Sequence, residues 1–326
     1  MTGGNPQAPK VPCVARTVFP EAVIEELRRA AHKGQLVLFV GAGVSRLVGG
    51  PSWDDLAEWA LRELSTAQVI IDEGCLASLS TMKAREKLSS VTDIANDQGY
   101  PLNWDAILDT SEMREHPNRV IHDHLIALGT HILTTNYDRC FDHATAMRSV
   151  GASLAARPAT GVPSHPHIPT CEIVKDVMEA VGRLGPDLVP LVLPGSSDVR
   201  RVIHLHGHLD DRNSMVVSIH QYRERYHNTA FVQRLQDILC YRTVLFIGYG
   251  LEEDEILDRV YLARCSTERR HFKLHPVGDS EAGHYWGIEQ HNLRQNNVQL
   301  IRYGIGDGRH EELLHVVKHL LEAIRG

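Results

Sequence analysis

Apolar residues are arranged along this chain in two alternating patterns. From Pro20 through Leu27 and on to residue 33 they recur at helical spacing, which predicts an amphipathic helix over 20–33. Gln35–Val40 is then a continuous apolar run, rich in β-branched and aromatic residues. It predicts a strand buried on both faces, as in a parallel sheet. The second pattern returns at His131–Thr135, Val202–His206 and Thr243–Ile247, with further strands expected at Met215–Ile219, 271–276 and 297–302. Helices are expected between them: from Trp53 to about Leu64, capped near Ser52; over much of 80–128, with breaks at Asn and Gly; near 172–184; over roughly 220–240; and at 309–325. Residues 1–17 read as a loose tail. Pro158, Pro163, Pro166 and Pro169 break up the stretch 151–200, which reads as an insertion. Strands alternating with helices predict an α/β protein: a Rossmann-like parallel sheet with helices on both faces. It is expected to form one domain over 18–326, with a helical segment at about 66–128.

Composition narrows the class without choosing a function. The chain has 326 residues, 43% hydrophobic and 23% charged, with a net charge of −7. That balance suits a globular fold and disfavours a broadly basic nucleic-acid-binding surface. The six cysteines form no Cys-x-x-Cys pair, so neither a disulfide framework nor a four-cysteine zinc site is expected. With no apolar leader and no membrane-length apolar run, a cytoplasmic location is expected.

The unusual residues fall at the carboxyl ends of predicted strands, the edge where open α/β sheets bind ligands. Gly41-Ala42-Gly43-Val44-Ser45 follows the first strand. Glycines there allow a tight turn and a close approach of backbone to phosphate, but Arg46 stands where the dinucleotide fingerprint has its third glycine. Thr134-Thr135-Asn136-Tyr137-Asp138 brings an amide and a carboxylate to the end of the second. Asp138 also suits a simple capping role, whereas Asn136 can both donate to and accept from a ribose hydroxyl or a water. His204, His206 and His208 alternate, so they would share one face and invite a zinc reading. With no further ligand evident, no metal is expected, and His206 beside Gly207 is the candidate general base near neutral pH. Gly248-Tyr249-Gly250 closes the set, ahead of an acidic run that suits a helix start.

In this order, Gly41–Ser45, Thr135–Asp138, Leu205-His206-Gly207 and Phe246–Leu251 resemble the sirtuin family, and more closely the bacterial sirtuin-like NAD hydrolases. The resemblance implies NAD bound to a Rossmann-like sheet. It puts Gly41, Ala42, Gly43 and Ser45 at the phosphate loop, Thr135, Asn136 and Asp138 beside the nicotinamide ribose, His206 as the catalytic histidine, and Gly248, Tyr249 and Gly250 in a nucleotide-contacting turn. The zinc cysteines of deacetylating sirtuins are missing. Gly50-Pro51-Ser52-Trp53-Asp54 stands in place of that family's Gly-Ile-Pro-Asp-Phe-Arg stretch, which counts against protein deacylation. The expected activity is hydrolysis of NAD⁺ to nicotinamide and ADP-ribose in antiphage defence. Gating is expected from homo-oligomerisation or from a partner such as a hexameric ATPase or a nuclease. The same motifs would also serve a non-catalytic NAD or ADP-ribose sensor, or an ADP-ribosyltransferase.

Overall fold

The structure, a computed structural model, describes residues 19–70, 72–128, 130–145, 171–174, 200–250, 254–266, 269–277, 293–305 and 311–325. Seven strands form one sheet: β1 (Leu36–Val40), β2 (His131–Thr134), β3 (Cys171–Val174), β4 (Arg200–His204), β5 (Thr243–Ile247), β6 (His271–Val277) and β7 (Val298–Gly304). Their order is β3-β4-β2-β1-β5-β6-β7, and every pairing is parallel. The helices are α1 (Glu21–His32), α2 (Ala42–Arg46), α3 (Trp53–Thr66), α4 (Glu73–Ser80), α5 (Ala84–Asp97), α6 (Asp105–Leu108), α7 (Ser111–Glu115), α8 (Val120–Ala127), α9 (Ile219–His227), α10 (Thr229–Tyr241), α11 (Asp254–Ser266) and α12 (Glu312–Arg325). Among the described residues no helix is long and apolar enough to cross a membrane.

The apolar run in β1 is continuous because both of its faces are covered. Leu36, Leu38 and Val40 join Val23 and Leu27 of α1, Leu125 of α8 and Val317 and Leu320 of α12 in one cluster. Val37 and Phe39 face the other way, onto Phe231 and Leu235 of α10 and Ile256 and Val260 of α11. Removing each such side chain from water is worth roughly 2 kcal/mol. A third cluster joins α3 and α5, through Leu56, Leu64, Leu88 and Val91, to Tyr137, Leu209, Met215 and Val217. These last four follow β2 and β4, so the helical segment sits over the carboxyl edge of the sheet. Helix α3 begins where it does because of a capping box: Ser52 Oγ accepts from Asp55 N, and Asp55 Oδ2 accepts from Ser52 N.

The expected Rossmann-like α/β fold is therefore present, and several element predictions are corrected. Met215–Ile219 is not a strand: Val216 N donates to His206 O, and Ser218 with Gln221 forms a capping box that starts α9 at Ile219. The single helix expected over 220–240 is two, because Asn228 leaves the helical conformation and its Oδ1 accepts from Phe231 N to cap α10. The helix expected near 172–184 begins inside β3, and its remainder lies outside the described residues. So do the 1–17 tail, the rest of the insertion from residue 151, and Glu252 and Glu253 of the acidic run.

His271, at the start of β6, is fully enclosed, and its Nδ1 accepts a hydrogen bond from Val244 N of β5. That bond needs a ring that is unprotonated at Nδ1. Burial, with a smaller contribution from Arg269, pushes the pKa down to about 4. The unfolded chain therefore takes up this proton first as pH falls. Stability from the neutral ring is complete above about 6.5 and is lost between there and about 4, by on the order of 3 kcal/mol. His271→Gln is expected to reduce the fall in urea midpoint between those two pH values. Identical pH dependence in parent and variant would refute this assignment.

Candidate active site

The strand order reverses at β1: the chain first builds leftward through β2, β3 and β4, then rightward through β5, β6 and β7. Ligand crevices in open α/β sheets lie at such switch points, beyond the carboxyl ends of the strands. Here the tips of β1, β2 and β5 carry Gly41, Thr135-Asn136 and Gly248.

The turns after β1 and β5 are packed backbone to backbone. Gly41 N donates to Ile247 O at 3.0 Å and Gly43 N to Gly248 O at 2.8 Å. A Cβ on Gly41 would lie 2.7 Å from Gly248 O, and one on Gly43 2.8 Å from Gly248 Cα. Gly248 itself has φ +61°, and a Cβ there would lie 2.7 Å from Val44 N. Contact between the two turns thus accounts for all three glycines. The amides of Gly41 and Gly43 are spent on it, while Ala42 and Ser45 line the adjoining cleft. Tyr249 is buried with its ring 4.7 Å from that of Phe39, and Gly250 O accepts from Lys273 Nζ at 2.7 Å. Gly248, Tyr249 and Gly250 support this turn from behind and are not among the cleft's lining residues.

Ser45, one turn into α2, is the centre of a buried polar relay. Its Oγ accepts from Asn136 Nδ2 at 2.8 Å and donates to Asp138 Oδ2 at 2.5 Å. The second Asn136 Nδ2 proton goes to Gly41 O at 3.1 Å, and the Asn136 backbone N donates to Thr134 Oγ1. Asp138 Oδ1 accepts from Cys140 N at 3.0 Å. Asp138 does satisfy the start of the following helical residues, as a capping reading requires, but its other oxygen belongs to the relay. Asn136 and Asp138 are almost wholly enclosed. Polar groups so placed need partners, and the relay supplies them between two segments far apart in sequence, 41–45 and 134–140.

The relay forms one wall of an open cleft of ≈ 480 Å³, counting its mouth. The polar side comprises Ser45, Thr135, Asn136, Asp138 and Ser52. The apolar side comprises Pro51, Trp53, Leu56, Leu108 and Met113. Sequence reasoning missed the apolar wall, although part of its signal was present: Gly50–Asp54 follows shortly after α2, and the capping box at Ser52 sets Trp53 against the ring of Tyr137.

The three alternating histidines do not share a face. The strand ends at His204, and Gly207, at φ +83°, turns the chain; a Cβ there would collide with Ser214 O. The rings of His204 and His208 come together at 4.5 Å. His206 turns away to the hydroxyls of Tyr226, 2.9 Å from Nε2, and Tyr222, 3.3 Å from Nδ1. It is fully buried and is not one of the lining residues of the cleft. Burial chiefly, then the nearby Arg225 and Arg85, push its pKa down to about 3. This corrects the expectation of a base titrating near neutral pH: the ring is neutral there and stays so well into acid.

Residues 130–301, just over half of the chain, match the SIR2-like domain family. A stretch of 122 residues, 37% of this chain, is 30% identical to Defense-associated sirtuin 2 of Bacillus subtilis, and that stretch spans 11% of the relative's length. The family match runs from the residue before β2 into β7, taking in Asn136, Asp138, His206 and the Gly248 turn, while Gly41 and Ser45 precede it. With the parallel sheet, the reversal at β1 and the motifs assembled at its edge, the chain belongs to the SIR2-like family.

Proposed function

We propose that the cleft binds NAD⁺ and that the chain hydrolyses the bond between nicotinamide and ribose. The observation that carries this reading is the Asn136–Ser45–Asp138 relay, bordering a half-polar, half-apolar cleft at the switch point of the sheet. Such a cleft suits a nicotinamide riboside. A flat ring can lie on the Trp53, Leu56 and Met113 side, and sugar hydroxyls can face Asn136 and Asp138. Ala42, the cleft-lining residue of the Gly41–Gly43 turn, is the backbone position for a phosphate. Membership of the SIR2-like family supports an NAD-dependent reaction.

In the proposed reaction the C1′–N bond breaks and its electron pair returns to the pyridine nitrogen, releasing neutral nicotinamide. A water oxygen bonds to C1′ and loses a proton, giving ADP-ribose. Positive charge builds on the ribose in the transition state, as in glycoside cleavage. The chain's task is to position the reactants and stabilise that charge. Both Asn136 Nδ2 protons are committed to Gly41 O and Ser45 Oγ, which leaves Oδ1 to accept from a ribose hydroxyl or the attacking water. The Asp138 carboxylate, held by Ser45 Oγ and Cys140 N, would offset the developing charge. His206 enters as a neutral, positioning residue behind the strand tip. The name of the Bacillus subtilis relative supports a role in defence; NAD depletion against phage, gated by assembly of several copies or by a partner, is the form of that role proposed for this chain.

Nicotinamide release from NAD⁺, followed by chromatography across a range of protein concentrations, tests the reading. The parent is expected to release nicotinamide, more than proportionally as concentration rises if assembly gates the site. Asn136→Ala is expected to lower kcat by about 10²-fold while the chain stays folded by circular dichroism. NAD⁺ that binds by calorimetry but is recovered intact would replace hydrolysis with sensing. Trp53→Ala is expected to act mainly on KM, raising it about tenfold, because its apolar contact serves ground state and transition state alike. A fall in kcat with unchanged KM would remove Trp53 from the nicotinamide wall. Because His206 stays neutral to about pH 3, the pH–rate profile is expected to show no inflection from this ring between about pH 5 and 7. An acid limb there that vanishes in His206→Gln would restore it as the titrating base.

A further inference from the structure

Next to Asn136, and outside the lining of the cleft, three side chains that the proposed hydrolysis does not use converge on one point. His204, His208 and Asp142 each bring a nitrogen or oxygen within 4.8 Å of the other two. His204 closes β4, His208 follows the Gly207 turn, and Asp142 lies in the helical residues 140–145 that follow Asp138. Both histidines are fully enclosed, and the Asp142 side chain keeps 23% of its surface open, on the solvent side.

The hydrogen bonds around the cluster fix the chemistry of its atoms. His204 Nδ1 lies 2.7 Å from the backbone oxygen of Asn136. That oxygen only accepts, so Nδ1 carries the proton and Nε2 carries a lone pair. His204 Nε2 is buried and has no hydrogen-bond partner among the described residues. A buried acceptor without a partner is costly unless something else takes its lone pair. His208 Nε2 lies 3.0 Å from Asp142 Oδ2, and its Nδ1 accepts from Asp210 N at 3.1 Å. A ring held through one nitrogen by a backbone carbonyl, with the other nitrogen bare, is the arrangement of a metal-ligating histidine and its outer partner.

We propose that His204 Nε2, His208 Nε2 and Asp142 form a binding site for one divalent transition-metal ion of the zinc class. Two imidazoles and one carboxylate are the donor set of a three-ligand site whose remaining position faces water. On loading, the proton on His208 Nε2 moves to Nδ1. That nitrogen then exchanges the Asp210 amide for the Asp210 Oδ2 carboxylate oxygen, now 3.8 Å away. His204 keeps its bond to Asn136 O, so the ion would brace the tip of β4 against the segment that carries the Asn136–Asp138 relay. The four-cysteine zinc site excluded from sequence is a different construction, and Asp142 is the further ligand that was not evident there.

The test uses the untagged full chain, stripped with chelator and titrated with Co²⁺ while visible absorption is recorded, and with Zn²⁺ by calorimetry and elemental analysis. Expected are one ion per chain, d–d bands without thiolate charge transfer, and a rise in Tm on loading. His204→Gln and His208→Gln are each expected to weaken binding at least about tenfold, and exposed His220→Gln to leave it unchanged. A parent chain that retains no stoichiometric ion would overturn the proposal. So would a thiolate charge-transfer band, or parent-like affinity in both the His204→Gln and His208→Gln variants. If either variant fails to fold, Asp142→Asn decides: unchanged affinity and an unchanged Co²⁺ spectrum would remove the site.

Discussion

The contact between the turn after β1 and the turn after β5 is the constraint on which the rest of this edge depends. Gly43 N reaches Gly248 O at 2.8 Å, and none of Gly41, Gly43 and Gly248 has room for a Cβ. Two turns at this distance behave as one rigid piece, because any side chain between them would force the strand tips apart. The consequence reaches beyond the glycines. With the first turn fixed, α2 starts immediately at Ala42, and Ser45 arrives one turn later, pointing at the end of β2. Had the β1 turn been looser, Ser45 would not meet both Asn136 and Asp138 from a single hydroxyl.

That hydroxyl explains why polar residues can be buried at the edge of an otherwise apolar sheet. Ser45 Oγ has one proton and spends it on Asp138, and its lone pair accepts from Asn136. Each donor in the relay therefore has one defined acceptor, and the direction of every bond follows from the chemistry of the groups. A relay with a forced direction is also a relay with a fixed geometry. It holds the Asn136 amide in one orientation, the kind of preorganisation that the proposed hydrolysis requires.

The fold and its binding edge were legible in the sequence, and the wall of the cleft largely was not. Continuous apolar runs identify strands covered on both faces, and the short motifs mark where those strands end; the switch point at β1 comes from the strand order, which no local pattern encodes. Asn228 shows the limit of periodicity. The apolar spacing runs through it from α9 into α10, but a side-chain cap costs little and ends a helix without breaking the pattern. Met215–Ile219 shows another: Met215 and Val217 are buried in the third cluster, which a strand-like pattern cannot distinguish from burial in a sheet. Leu108 and Met113 come to the cleft from a helical segment distant in sequence, so no local signal could have placed them there.

The histidines of β4 carry the sharpest lesson about alternation. Spacing of i, i+2 puts side chains on one face only while the chain remains a strand. Here the strand stops at His204, and Gly207 adopts a conformation closed to other residues, with Ser214 O occupying the space a Cβ would need. His206 is thereby turned toward Tyr222 and Tyr226, while His208 is swung back against His204 and within reach of Asp142. Three residues of one type, evenly spaced, thus acquire different environments through one glycine. The difference between a histidine satisfied by tyrosines and one left with a bare buried nitrogen was not in the spacing. It was in whether the backbone between them could reverse.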